Sequence, residues 1–372
     1  MILGTVASSL VGFRGPLIRL LVEERHEVYA FAMDYTEQSR AEVKDIGAVP
    51  VDYRLSRSGL NPFADLKMML ALRVEFKRLQ PDVVFSYFVK PVVFGSLAAW
   101  LASVPLRVAM LEGLGFPFTN QPEGLALKTK LIQGVQLFLY RVAFPTISHL
   151  LFLNPDDRDE LLVKHGIKAR QVSVLGGIGL DLGDFPYAKP SIEKIRFLFI
   201  GRLLREKGIF DFLAAADLVK VRFPQVEFVV LGSPDTTSPN ALSDKQLQDY
   251  IGRGVIGYPG QVSNVMDWIV GSSVFVLPSY REGVPRSTQE AMAVGRPVIT
   301  TDVPGCRETV VDGVNGFSVP AFDVQALAEK MIWFIEHPEA IEPMGLASRK
   351  MAEEKFDVRK VNGRLLMILG GI

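Results

Sequence analysis

The second half of the chain alternates short, wholly apolar runs with helical stretches, and few folds accept that pattern. The runs are RFLFIG (196–201), VEFVVLG (226–232), SVFVLPS (273–279) and PVITTD (297–302). Helical patterns from about 208 to 223 and 285 to 294 fall between them. A strand that is apolar on both faces belongs in a parallel sheet with helices covering each side. The first half repeats the arrangement less cleanly. Its candidate strands are 2–7, 27–33, 81–87, 106–111, 149–154 and 171–176. One helix starts near Asn61-Pro62 and another at Asn154-Pro155, where asparagine caps and proline suits the first turn.

A chain of 372 residues exceeds one ordinary domain of about 100–200, so two domains are expected. The stretch 180–194 is rich in glycine, proline and charge and reads as the linker. Domain one is expected over 1–182 with a returning C-terminal helix over 356–372, and domain two over 183–355. Open parallel sheets bind ligands beyond the C-terminal ends of their strands, so function is sought in those loops.

Charge and cysteine content narrow the classes. The 41 basic and 41 acidic residues cancel, which gives no global pull toward nucleic acid. A single cysteine, Cys306, forbids an intramolecular disulfide, and its Pro-Gly-Cys-Arg-Glu loop reads as a small buried thiol rather than a nucleophile. The four histidines lack ligand spacing, so no metal site is expected. The apolar N-terminus is interrupted by Arg14 and Arg19 and reads as strand, turn and helix rather than a leader. No stretch offers the ~20 apolar residues of a membrane span. The segment from Leu125 to Phe144 mixes Lys128, Lys130 and Arg141 with large apolar residues. It fits a core helix or an amphipathic helix on an anionic membrane.

Two segments carry chemistry. Directly after SVFVLPSYR comes Glu282-Gly283-Val284-Pro285-Arg286-Ser287-Thr288-Gln289-Glu290, a turn into a helix whose amides suit a diphosphate. Glu282 and Glu290 are hydroxyl acceptors there, on the transferred sugar and on ribose, or else ordinary helix-surface glutamates. The second, Gly201-Arg202-Leu203-Leu204-Arg205-Glu206-Lys207-Gly208, joins a buried strand to its helix. Its cations can neutralise a departing nucleoside diphosphate, or form a solvated basic loop.

Together these segments, with TDVPGCRETVVDGVNGFSVP (301–320) and FDVRKVNGRLL (356–366), resemble glycosyltransferase family 4, the retaining enzymes of the GT-B fold. The pattern REGVPRSTQEAMAVGRPVITTDVPGCRE looks like the bacterial subgroup that builds capsule, O-antigen or lipid-linked oligosaccharide. The resemblance implies two Rossmann-like parallel-sheet domains facing across a cleft. It implies Arg202 and Lys207 on the donor diphosphate, Glu282 on the donor sugar and Glu290 on ribose. Gly283, Val284 and Pro285 would line the pocket, Pro259-Gly260 would follow a strand 254–258 near the base, and Gly179 would touch the sugar. Gly12, Phe13, Arg14 and Gly15 resemble the family's flexible loop, Arg14 meeting a pyrophosphate, or else form a plain strand-to-helix turn, and Lys90 and Glu112–Phe118 would end strands at the cleft. Ser86, Tyr87 and Phe88 stand where relatives often carry a histidine.

The implied activity moves a hexose or N-acetylhexosamine such as GalNAc or GlcNAc from a UDP-sugar, without metal or other cofactor. The implied acceptor is a saccharide on polyprenyl diphosphate, and the implied location is cytoplasmic, peripheral on the inner membrane face. Rival readings are a UDP-sugar epimerase or hydrolase on the same scaffold and an inactive sugar-binding homologue. A dehydrogenase is disfavoured by the missing GxGxxG context.

Overall fold

The computed structural model describes residues 1–53, 62–121, 123–235, 238 and 240–370. Contacts divide the chain into two units, one of 1–117, 126–178 and 358–372, the other of 118–125 and 179–357. The division falls after Ile178, ahead of the stretch expected to be a linker. That stretch is packed onto the second unit: Ala188 N–H donates to Val294 O at 3.1 Å, and Ser273 Oγ donates to Ser191 O at 2.8 Å.

The first unit begins β1 (Ile2–Leu3), α1 (Ala7–Gly12), α2 (Gly15–Glu23), β2 (Tyr29–Ala32), α3 (Glu37–Asp45), β3 (Val49–Asp52) and α4 (Pro62–Leu79). The Asn61 cap expected for α4 lies outside the described residues. There follow β4 (Val83–Tyr87), a π-helical turn Pro91–Gly95, α5 (Ser96–Leu101), β5 (Leu106–Leu111), α6 (Leu127–Ala143), β6 (His149–Phe152), α7 (Pro155–Asp159) and β7 (Gln171–Val174). The strands form one parallel sheet in the order β3-β2-β1-β4-β5-β6-β7. Right-handed crossovers from β3 onward place α4, α5 and α6 on the same face. The core on that face joins Leu3, Phe31, Met68, Leu72, Phe76 and Val84.

The first strand is shorter than the apolar run 2–7. Asp34 Oδ1 accepts the Ala7 N–H at 2.7 Å and turns the chain into α1. Asn154 caps α7 through the Asp157 N–H at 2.8 Å, where the sequence placed it.

The second unit holds β8 (Arg196–Ile200), α8 (Ile209–Arg222), β9 (Glu227–Leu231), α9 (Asp244–Gly252), β10 (Gly257–Gly260), α10 (Val265–Val270) and β11 (Val274–Leu277). It continues with α11 (Arg286–Ala293), β12 (Val298–Thr301), β13 (Gly316–Val319), α12 (Val324–Glu336) and α13 (Ile341–Lys355). Its parallel sheet runs β10-β9-β8-β11-β12-β13. The final helix, α14 (Val358–Ile368), belongs to the first unit and packs on α2. Arg296 is fully buried and donates to Ala188, Ile269 and Val270 carbonyls at 2.6–2.9 Å, so a guanidinium closes the C-terminal end of α10.

Candidate active site

In the second unit the C-terminal ends of β8 and β11 and the start of α11 converge. Ile200, Gly201, Arg202, Lys207, Leu277, Glu282, Pro285, Arg286 and Ser287 line a cavity of about 200 Å³. Parallel strands explain the convergence: every loop that leaves a strand tip does so at the same sheet edge.

Lys207 reaches this cavity because the chain makes a short 3₁₀ turn, Arg205–Lys207, and then passes through Gly208 at φ +73°. A Cβ at Gly208 would collide with the Pro278 carbonyl, so the turn can lie against the end of β11 only as glycine. The Lys207 ammonium then sits 2.6 Å from Glu282 Oε1. Ser279 is fully buried, and its Oγ donates to that same oxygen at 2.7 Å. Thr301 Oγ1 donates to the Ser279 carbonyl and ties this residue to the tip of β12. From beneath, Gly305 at φ +79° approaches the Glu282 and Gly283 carbonyls so closely that a Cβ would overlap both. The Glu282 N–H donates to Pro304 O at 3.0 Å. Cys306 is buried in the same place, and burial, reinforced by the Glu282 charge, pushes its thiol up to about 12. It is a packing thiol.

Helix α11 starts after Pro285 with no side-chain cap and no acidic residue in its first turn. A helix start with no acidic side chain in its first turn keeps its positive dipole end, which favours negative charge nearby. Ser287 Oγ donates to Ile200 O at 3.0 Å and clamps that first turn against the tip of β8. One turn on, Arg286 Nε donates to Glu290 Oε1 at 2.9 Å, while Arg286 Nη1 donates to Gly179 O at 3.3 Å. Burial raises the Glu290 pKa, and the Arg286 charge opposes the shift. Neither glutamate is an ordinary surface residue, since their side chains are 10% and 17% exposed.

The other expected donor residues lie as follows. Arg202 lines the cavity with a 61% exposed side chain, 3.5 Å from Asp235. Arg205 turns away and pairs with Glu123 at 3.3 Å. Val284 is buried and its carbonyl accepts from Gln289 Nε2 at 3.2 Å. Strand β10 runs to Gly260 itself, so Pro259-Gly260 ends the strand rather than following it. Gly260 O accepts the Gly232 N–H at 3.0 Å, on the edge strand three strands away from β11.

In the first unit the expected phosphate loop is mostly helix. Gly12 closes α1, Phe13 and Arg14 form the turn, and Gly15 opens α2. Arg14 is 2% exposed and ion-paired with Glu112, with its guanidinium 4.6 Å from the Tyr87 ring centre. Its guanidinium is thus buried and paired within the first unit, where a free phosphate-binding side chain was expected. Tyr87 is equally buried and shares a 2.8 Å hydrogen bond with Ser9 Oγ. Lys90 pairs with buried Asp65 at 3.0 Å. Sequence reasoning missed Ser279, Arg286 and Ser287 as site residues; the last two stood inside a quoted motif without a role.

The family model described as glycosyl transferases group 1 matches residues 187–351, and the glycosyl transferase 4-like domain matches 15–177. A Campylobacter jejuni N,N'-diacetylbacillosaminyl-diphospho-undecaprenol alpha-1,3-N-acetylgalactosaminyltransferase is 30% identical, covering 90% of this chain and 88% of its own. The Staphylococcus aureus capsular polysaccharide glycosyltransferase CapM is 25% identical over 95% of this chain and 91% of its own. Among solved structures, Anabaena HepE, crystallised with UDP, superposes with a TM-score of 0.77 at 18% identity, covering 100% of both chains. That likeness speaks to the fold, two Rossmann-like domains of the GT-B type. With each half matched by a glycosyltransferase model and nine tenths of the chain by a transferase 30% identical to it, this chain belongs to the family 4 glycosyltransferases.

Proposed function

We propose that the enzyme transfers a hexose or N-acetylhexosamine from a UDP-sugar, with retention, onto a saccharide carried by polyprenyl diphosphate. The observation that carries this reading is the convergence of Lys207, Glu282 and the uncapped start of α11 on one cavity. The Campylobacter relative is named for transfer onto a diphospho-undecaprenol-linked sugar, and an Escherichia coli relative, 25% identical over 72% of this chain, is named for a UDP-Gal donor.

In this reading Arg202, Lys207 and the first amides of α11 hold the diphosphate. Glu290, oriented by Arg286, takes the ribose hydroxyls. Glu282 accepts from a hydroxyl of the sugar, with Gly283 to Pro285 and Gly179 shaping its surroundings and Gly260 toward the base. As the bond from C1 to the diphosphate oxygen breaks, negative charge grows on that oxygen, where fixed cations and amides stabilise it. The acceptor hydroxyl bonds to C1 from the same face and its proton passes to the departing phosphate. No metal is required, because side-chain cations meet the charge. A polyprenyl acceptor places the enzyme at the inner membrane face as a peripheral protein; among the described residues no helix is long and apolar enough to cross a membrane.

The test offers UDP-, GDP- and TDP-sugars with a detergent-dispersed polyprenyl-diphosphate saccharide, in the presence and absence of EDTA, and reads product anomer by NMR. An α-linked product from an α-configured UDP donor, unaffected by EDTA, is expected. An inverted product, EDTA inhibition, or free-donor epimerisation without acceptor would overturn the corresponding part.

A further inference from the structure

A surface helix of a soluble domain ordinarily turns its apolar side inward and its charged side to water. Two helices of the first unit do otherwise. On α4 the exposed residues include Phe63, Leu66, Leu70 and Val74, spaced by three, four and four. On α6 they are Leu127, Leu131, Phe138 and Val142, which lie on one helical face. Phe63 and Leu127 are 86% and 85% exposed. Both helices also bury a separate set, Met68, Leu72 and Phe76 on α4 and Leu137, Tyr140 and Ala143 on α6. The outward stripes are therefore not the core-packing faces misread.

The two stripes share one side of the unit. Helix α4 packs against α5 and the π-helical turn Pro91–Gly95, and α6 packs against that same turn. Trp100 of α5 is half exposed between them. Each helix is about 25 Å long at 1.5 Å per residue, enough to lay a broad patch on a flat partner.

Charge names the partner. The chain as a whole is neutral, yet α6 carries Lys128, Lys130 and Arg141 and no acidic residue. On α4 the acidic residues are engaged, Asp65 with Lys90 and Glu75 with Arg78, while Lys67 and Lys77 are exposed. Apolar side chains flanked by lysines, on helices lying flat, match the headgroup boundary of an anionic bilayer. From this juxtaposition we infer that α4 and α6 together form the face by which the enzyme lies on an anionic lipid surface. The inference rests on the proposed lipid-linked acceptor for its purpose, and it adds the surface, its second helix and the headgroup charge.

The experiment floats the full-length protein with phosphatidylcholine vesicles, with and without phosphatidylglycerol, at low and high salt. Wild type is expected to float with the anionic vesicles, to stay behind with phosphatidylcholine alone, and to be released by salt. The triple change Lys67→Glu, Lys128→Glu, Lys130→Glu should weaken partitioning by at least about 100-fold, given about fivefold per basic residue lost. The pair Leu131→Ser and Phe138→Ser should also weaken it. These residues are exposed, and both variants should keep the UDP-induced thermal shift and transfer in detergent.

Failure of wild type to float with anionic vesicles, or flotation of both variants like wild type, would overturn the inference. So would a dimer in sedimentation that Phe138→Ser dissociates, since the patch would then cover a second copy. Loss of transfer in detergent by wild type would count against the proposed reaction instead, leaving vesicle binding as a separate readout.

Discussion

Lys207 Nζ and Ser279 Oγ both donate to one oxygen of Glu282, at 2.6 and 2.7 Å. The lysine that should neutralise a leaving diphosphate and the carboxylate that should hold the sugar are thus one unit. Removing either takes a charged partner from a mostly buried side chain. Lys207→Ala is expected to lower kcat by about 10²–10³, the range for losing one preorganised donor to a developing oxyanion. Glu282→Ala should fall in the same direction. Their combination should cost far less than the product of the two, because residues acting as a unit are not additive. A double-mutant cycle on kcat/KM that multiplied cleanly would break the coupling.

Ser279→Ala tests the support beneath that pair. A lost buried hydrogen bond to a charged group costs about 1.5–3 kcal/mol, so roughly a tenfold or greater loss in kcat is expected. The UDP-induced thermal shift should be nearly unchanged, because on the proposed reading Ser279 supports the sugar contact of Glu282 and not a nucleotide contact. Ser279→Thr should restore most of the activity. Equal loss in both variants would mean the site needs serine for its size alone.

Glu290 supplies a pH signature. Burial raises its pKa, so it becomes protonated at a higher pH than an exposed glutamate. A protonated carboxyl accepts hydroxyl hydrogen bonds less well, so nucleotide affinity should fall with acidification, beginning above the ordinary glutamate range. Glu290→Gln should bind more weakly at neutral pH and lose that dependence. Calorimetric titration of UDP against pH checks both, and an unchanged acid limb in the variant would assign the titration elsewhere.

The buried central strands were legible because their signal is local. β8, β9, β11 and β12 are apolar runs that need no partner to be recognised. Three of the four edge strands were not. β7 stands out as the run 171–176, but β3 and β13 carry no such run and β10 reads as ending at Tyr258, because an edge strand lacks two covered faces and tolerates Pro50 or Pro259. The first strand was drawn too long because the group that starts α1 is Asp34, in a different loop. The same limit governs the site. Glu282, Glu290, Lys207 and Arg202 stood out by type and motif. That Lys207 meets Glu282, or that Ser287 clamps α11 to β8, depends on pairings across about 75 and 87 positions that no local pattern encodes.

The glycine of Pro304-Gly305-Cys306 carries a prediction of its own. Gly305 adopts φ +79° directly under the Glu282 and Gly283 carbonyls. In Gly305→Ala the left-handed backbone alone costs about 1–2 kcal/mol, and the Cβ overlap adds to it by pushing the turn that carries Glu282. Melting temperature and donor affinity should fall together. A variant that melted lower yet bound donor as tightly as wild type would show that the turn does not transmit the displacement.

Arg14 separates a structural reading from a catalytic one in the first unit. Its guanidinium is 2% exposed and paired with Glu112, whose carboxyl burial drives upward in pKa against the pull of that arginine. Arg14→Ala leaves the carboxyl buried without its counter-ion, and breaking such a pair costs about 3–5 kcal/mol. Replacing both partners by apolar residues, Arg14→Met with Glu112→Leu, should recover much of that stability, since no lone charge remains. Denaturant midpoints of the two singles and the double decide it. If Arg14→Ala melted like wild type while the acceptor KM rose sharply, the guanidinium would be engaging substrate phosphate instead of holding the interior together.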